Sequence, residues 1–231
     1  MAPPDPAGTL VFPDYRERAL LSAGQSVDAV HHLVASAMAA RGLDAVVVAD
    51  VGCGRGDLAR ALGPRCRRYI GVDAVRYDGL PAATEFVHAD LNAAADVELP
   101  GGPADVVASL ETIEHLENPR AFVRLLYRLT RPGGWIFLTT PNQRSLLSLA
   151  TLIVKGRFSH FQDVHYPAHL TALLDIDLVR IAAEVGLERV AIEYTGAGRL
   201  VFTARHYPRW LARAFPRALS DNVMLAGQRP L

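Results

Sequence analysis

The chain has 231 residues and a mass of 25.0 kDa, and half its residues are hydrophobic, enough for one α/β domain with a sizeable core. Its 24 basic residues balance 24 acidic ones and the pI is about 7.1, which argues against a broad nucleic-acid-binding surface. Cys53 and Cys66 are too few for a disulfide framework or a zinc site of their own, so a reducing cytoplasm is the expected location.

Met1–Pro6 has no basic n-region and no apolar h-region, so it does not read as a secretory signal. Residues 1–24 are expected to form a mobile tail ahead of a single domain over 25–231. Asp28–Arg41 places Val30, Leu33, Val34, Ala37 and Met38 at helical spacing and predicts a helix on one sheet face. Its His31 and His32 have no partner nearby in sequence and read as surface or satisfied histidines.

Val46–Val51 is a short valine-rich run, as in a strand covered on both faces. It leads into Gly52-Cys53-Gly54-Arg55-Gly56 and a helix from Asp57 to Leu62. This glycine spacing is neither the G-x-G-x-x-G dinucleotide fingerprint nor a P-loop. A strand–glycine turn–helix unit in an open α/β sheet is still the expected ligand site, because ligands bind at the carboxyl ends of such strands. The next strand, Arg68–Asp73, ends in a carboxylate about 20 residues further on, where a nucleotide fold places the acid that accepts from ribose hydroxyls.

Glu85–His88, Ala104–Leu110 and Trp135–Thr140 read as further strands, with an amphipathic helix over Pro119–Leu129 broken by Arg131-Pro132-Gly133-Gly134. The longest uncharged apolar run, Ser145–Val154, is about half of what a membrane-spanning helix needs. Asp175–Val185 is the next helix. The alternation of strands and helices predicts an α/β, doubly wound, Rossmann-like sheet.

Asp50-Val51-Gly52-Cys53-Gly54-Arg55-Gly56, Asp73, Asp90, Glu111-Thr112-Ile113-Glu114-His115 and the Arg-Pro-Gly-Gly-Trp turn occur in the order and spacing of one family. Over roughly residues 45–195 the chain resembles the class I S-adenosylmethionine (SAM)-dependent methyltransferases. The resemblance implies a seven-stranded sheet, mostly parallel, with an antiparallel last strand; Leu187–Tyr194 and Asp221–Gln228 are candidates for the final two strands. It also implies a SAM site built from Asp50, Gly52, Cys53, Gly54, Gly56, Asp73, Asp90, Leu91 and Leu110. In it the glycines lie close to the methionine part of SAM, and Asp90 accepts from the adenine amino group.

If a helical turn begins at Glu111, then Glu111, Glu114 and His115 share one face. The Glu-x-x-Glu-His segment resembles two methyltransferase groups. One is the ubiquinone-biosynthesis O-methyltransferases, with phenol or catechol acceptors. The other is the RNA 3′-terminal 2′-O-methyltransferases, in which such residues and a later histidine hold a metal. That implies Glu111, Glu114, His115 and His169 as ligands of Mg²⁺, Mn²⁺ or Zn²⁺, with His165 an alternative later histidine and His160 a weaker one. His115, His165 or His169 could equally serve as general base.

The expected activity is O-methylation of a small, partly apolar hydroxyl acceptor. The alternatives are RNA 3′-end methylation, disfavoured by the neutral charge, and a SAM-binding protein without catalysis. Insertions near 143–172 and 196–220 are expected to cap the acceptor pocket. Within the second, 206–217 interleaves arginines with Trp210, Leu211 and Phe215 and could contact a membrane surface.

Overall fold

The computed structural model describes residues 13–93 and 97–231. In chain order the elements are α1 (Tyr15–Leu21), α2 (Asp28–Ala40), β1 (Val46–Val51), α3 (Asp57–Leu62), β2 (Cys66–Asp73) and β3 (Glu85–His88). There follow β4 (Ala104–Ser109), α4 (Pro119–Leu129), β5 (Thr130–Pro141), α5 (Leu146–Lys155), α6 (Asp175–Glu184), β6 (Glu188–Tyr194), α7 (Arg209–Ala214) and β7 (Asn222–Gln228).

The strands form one seven-stranded sheet in the order β3-β2-β1-β4-β5-β7-β6, with β7 antiparallel to both neighbours and every other pairing parallel. The period-two alternation of strand side chains divides the core between two faces. Val48, Val106, Phe137 and Met224 pack under α2 and α3. Ala49, Val107, Ile136 and Leu225 pack under α4 and α6 on the opposite face. Burial on both sides explains why β1 and β4 are near-continuous apolar runs.

Local signals set several boundaries. Asn118 accepts from Ala121 N at 3.0 Å and Pro119 occupies the first turn of α4. Ser145 caps α5 through Ser148 N at 3.1 Å, and Gly156 ends it at φ 71°.

The topology matters for the site because β1 lies between β2 and β4, so the chain leaves it in one direction and returns on the other side. A crevice therefore opens past the carboxyl ends of β1, β2 and β4.

One expectation is corrected by the structure. Residues 13–24 do not form a loose tail. Asp14 and Glu17 close a capping box, with Glu17 N donating to Asp14 Oδ1 at 2.8 Å, and α1 follows. Tertiary contacts hold it: Tyr77 Oη donates to Ala19 O at 2.6 Å, Arg18 pairs with Glu117 at 2.8 Å, and Arg55 N donates to Gly24 O at 3.0 Å. The rest of the expected tail, 1–12, lies outside the described residues. Within 206–217, Arg209–Ala214 is helical, as α7. Pro208 and Pro216 bound it, and proline cannot donate into a helical ladder.

Candidate functional site

A cleft of about 520 Å³ occupies the expected crevice. Its walls come from the β1–α3 turn, the ends of β2 and β4, the loop after β3, α1 and both cap segments.

The glycine turn is held from below. Gly52 N donates to Val72 O at 2.7 Å, and Gly54 N donates to Asp73 Oδ2 at 2.9 Å. Gly52 has φ 81°, and a Cβ there would lie 2.2 Å from Thr112 Oγ1. Gly54 has φ 50°, and its Cβ would meet Gly24 O at 2.3 Å. The bare backbone at these positions is needed for the protein's own close packing as well as for any ligand. Gly56 is the N-cap of α3, at φ 72°, beyond the part of the turn that lines the cleft.

We expect Gly52→Ala to destabilise the fold by about 1–3 kcal/mol through overpacking and left-handed strain. Thermal denaturation followed by circular dichroism checks this; an unchanged midpoint would mean that Thr112 yields freely.

Asp50 and Asp73 face the cleft from adjacent strands. Asp50 is 3% exposed; Tyr69 Oη donates to its Oδ2, while Oδ1 is buried with no partner. Burial pushes its carboxyl up to about 7 against the opposing effect of Tyr69. A buried acceptor lacking a donor fits an ammonium, such as the one on the methionine arm of SAM.

Asp73 accepts from Gly54 N and, through Oδ1, from Val75 N at 3.1 Å. Burial raises its carboxyl and these N–H groups oppose the rise. Each oxygen keeps a second lone pair, so two vicinal hydroxyls of a ribose can be accepted. Asp90 lines the cleft and also closes an Asx turn, accepting from Asn92 N at 2.9 Å. Leu91, Leu110 and Cys53 line it too; burial pushes the Cys53 thiol far up, so it packs as an apolar group.

At the other end the Glu-x-x-Glu-His segment departs from the expected helical turn. Glu111 sits at φ 50°, and only Ile113–His115 coil, as a 3₁₀ turn. Partners on distant strands impose this: Thr139 Oγ1 donates to Glu111 Oε1 at 2.9 Å and Asn222 Nδ2 to Oε2 at 2.7 Å. Glu114, 1% exposed, accepts from Thr140 Oγ1 at 3.1 Å. Its main-chain oxygen accepts from Leu170 N at 2.8 Å and Thr171 N at 3.0 Å, which fastens the first cap segment to the site. Burial raises both carboxyls, Glu111 to about 7, and the neighbouring Glu111 adds to the rise at Glu114.

His115 Nδ1 lies 3.0 Å from Ala168 O. A carbonyl only accepts, so Nδ1 carries the hydrogen and Nε2 keeps the lone pair. The His115 and His169 rings meet edge to face with centroids 4.6 Å apart. His169 Nδ1 is buried without a hydrogen-bond partner. Burial, then the neighbouring His115, pushes His169 down to about 3; burial also lowers His115. Both rings are therefore neutral at ordinary pH.

His165 stacks on His169 at 5.4 Å and stands behind it, outside the residues that line the cleft. Glu114, His115 and His169 bring ligand atoms within 4.8 Å of one another. Glu111 stands outside that group, which reduces the expected four-ligand set to three.

Tyr69, Asn222, Thr139 and Arg199 were not legible as site residues. Tyr69 follows Arg67 and Arg68 inside β2 with no motif around it, Asn222 and Arg199 reach the cleft only through strand order and the second cap, and Thr139 is buried and acts through Glu111. His160, the weaker histidine candidate, lines the cleft and lies 3.3 Å from Arg199 Nη2.

The family described as a methyltransferase domain matches residues 25–192. The ubiquinone biosynthesis O-methyltransferase of Pseudomonas paraeruginosa is 33% identical over 119 residues, which cover 48% of this chain and 51% of that protein. A probable S-adenosylmethionine-dependent methyltransferase of Mycolicibacterium smegmatis is 29% identical over 186 residues, 75% of this chain and 65% of that protein. The chain thus spans about half the length of the first of these relatives and under two thirds of the second. A SAM-dependent methyltransferase structure from Archaeoglobus fulgidus superposes with a TM-score of 0.60 at 19% identity, covering 94% of this chain and all of that one, which shows a shared fold. With the strand order, the acidic ends of β1 and β2 and the matched region all in agreement, the chain belongs to the methyltransferase domain family and has the class I SAM methyltransferase architecture.

Proposed function

We propose that this chain methylates a hydroxyl group on a small, partly apolar acceptor, with SAM as donor. One observation carries the reading: a single cleft is lined by Asp50 and Asp73 and also by His115, whose Nδ1 is held by Ala168 O. SAM brings a methyl group already activated on a sulfonium.

Asp50 binds the ammonium, Asp73 the ribose and Asp90 the adenine edge. Leu91 and Leu110 exclude water along the walls. His115 Nε2 accepts the acceptor's hydroxyl proton, and Ala168 O holds the ring in the tautomer that can do so. Holding both reactants in line can supply as much as about 7–11 kcal/mol in favourable cases. Both cysteines are free, in keeping with a reducing cytoplasm. Among the described residues no helix is long and apolar enough to cross a membrane.

The test is transfer of tritiated methyl from SAM to a panel of catechols, polyprenyl phenols, sugars and short RNAs. Labelling of the phenolic members supports the proposal. Labelling of RNA alone would replace it with the RNA reading. SAM binding with no transfer to any member would favour a non-catalytic role.

A second reading has a specific observation behind it. Glu114, His115 and His169 converge, and His169 Nδ1 has no partner. Carboxylate and neutral imidazole suit Mg²⁺, Mn²⁺ or Zn²⁺. In that case we expect EDTA to reduce transfer at least tenfold, with recovery on adding one of these ions. Transfer that survives both chelation and His169→Ala excludes a metal role.

A further inference from the structure

The charge balance of the chain hides a strong local asymmetry. Residues 145–162 and 196–220 together carry Lys155, Arg157, Arg199, Arg205, Arg209, Arg213 and Arg217 and not one carboxylate side chain. Arg157, Arg199 and Arg217 are paired with Asp163, Asp221 and Asp175. Lys155, Arg205, Arg209 and Arg213 have no acidic partner among the described residues.

The same two segments expose large apolar groups: Ile153 85%, Trp210 72%, Val154 67%, Phe215 60% and Phe202 59%. A soluble surface does not ordinarily collect aromatic and aliphatic groups among unpaired cations.

The segments adjoin. Leu146 N at the start of α5 donates to Ala218 O at 2.8 Å, and Ala218 N donates to Phe215 O at 3.2 Å. They also border the acceptor end of the cleft, because His160, Arg199 and His206 line it. α5 and α7 take no part in either side of the sheet core apart from a few anchoring residues, so their outer faces have no partner within the described fold.

We infer that this cap face docks on an anionic lipid bilayer. Trp210, Phe215, Phe202 and Ile153 enter the interfacial layer, and Lys155, Arg205, Arg209 and Arg213 meet the headgroup charges. Aromatic rings with one wet edge suit that layer, and arginine stems can lie along apolar surface while the guanidinium stays in water. Each basic residue near an anionic surface strengthens binding about fivefold. Four unpaired cations therefore separate anionic from neutral vesicles clearly, in a chain whose net charge gives no general attraction. The docking is independent of the methyl-transfer reading: it can be measured without SAM or an acceptor, and its failure leaves that reading untouched.

The experiment is co-sedimentation of the full chain with vesicles of phosphatidylcholine alone and of phosphatidylcholine with 30% phosphatidylglycerol. We expect at least tenfold tighter binding to the anionic vesicles and its loss in high salt. Two exposed double variants follow, W210A/F215A and R209E/R213E, with melting curves to confirm their folds. Both should bind at least tenfold more weakly, and only the wild type should show a blue shift of Trp210 emission in a Trp135→Phe background. Equal binding to both vesicle types, or variants that bind like the wild type, would overturn the proposal. So would self-association of the chain through this face, seen by sedimentation velocity, with no vesicle binding.

Discussion

Asp73→Ala is expected to reduce SAM affinity by about 10²–10⁴, because two hydrogen bonds to a charged acceptor, at about 1.5–3 kcal/mol each, are lost. Isothermal titration measures this directly. The carboxylate also accepts from Gly54 N and Val75 N, so its loss frees two backbone donors and can loosen the glycine turn. Asp73→Asn separates the two effects. The amide keeps one oxygen acceptor but places donors where Gly54 or a ribose hydroxyl also donates. A weakened SAM affinity in Asp73→Asn, at an unchanged melting midpoint, assigns the effect to the ligand. Unaltered affinity in Asp73→Ala would sink the cofactor assignment.

The neighbouring Asp50 supplies a pH signature for the same end of the cleft. Its carboxyl is held up to about 7 by burial, so in the free protein it is largely protonated below that pH. An ammonium ligand favours the ionised form. SAM binding should therefore tighten as pH rises from about 6 to 8, and Asp50→Asn should flatten the profile.

The parts of the fold that were legible are those whose cause is local. Val46–Val51 announces a buried strand by its own composition, and Pro119–Leu129 announces a helix by its apolar face and the Arg-Pro-Gly-Gly break that follows it. Asp50 and Asp73 could be placed because strand ends next to a glycine turn have a fixed place in an open α/β sheet. Glu111 shows where local reasoning fails. Helical spacing places it beside Glu114 and His115, but Thr139 on β5 and Asn222 on β7 draw its carboxylate elsewhere and turn its backbone left-handed. No pattern within five residues of Glu111 contains that information.

α1 fails for a related reason. Seven residues are too few to be stable as an isolated helix, and its position depends on Tyr77, Glu117 and Arg55, which lie far along the chain. Those contacts convert an expected tail into one wall of the cleft, so the SAM end is closed by the first described residues of the chain. The cap segments add His160, Arg199 and His206 to the lining of the cleft. The two ends of the site are thus built from the stretches with the weakest periodicity, while the sheet between them carries the strongest.

His115→Ala is expected to lower kcat for methyl transfer by about 10²–10⁴, the usual contribution of a positioned general base. SAM affinity should stay within about twofold, because the proposed SAM contacts are made by Asp50, Asp73 and Asp90 and not by His115. Burial lowers the imidazole from its ordinary 6.5, and a base must be neutral to work. The wild-type rate should therefore climb with pH on an acid limb lying below 6.5. In His115→Ala that limb should vanish and the rate should instead follow the ionisation of the acceptor hydroxyl itself. Added imidazole should restore part of the rate if the cleft can admit it beside Ala168. A metal ligand would behave differently: its loss would be offset by raising the metal concentration and not by imidazole. A variant with full kcat and an unchanged acid limb would remove His115 from the proton path. His169, whose Nδ1 shares the same buried corner, would then be the next base to substitute.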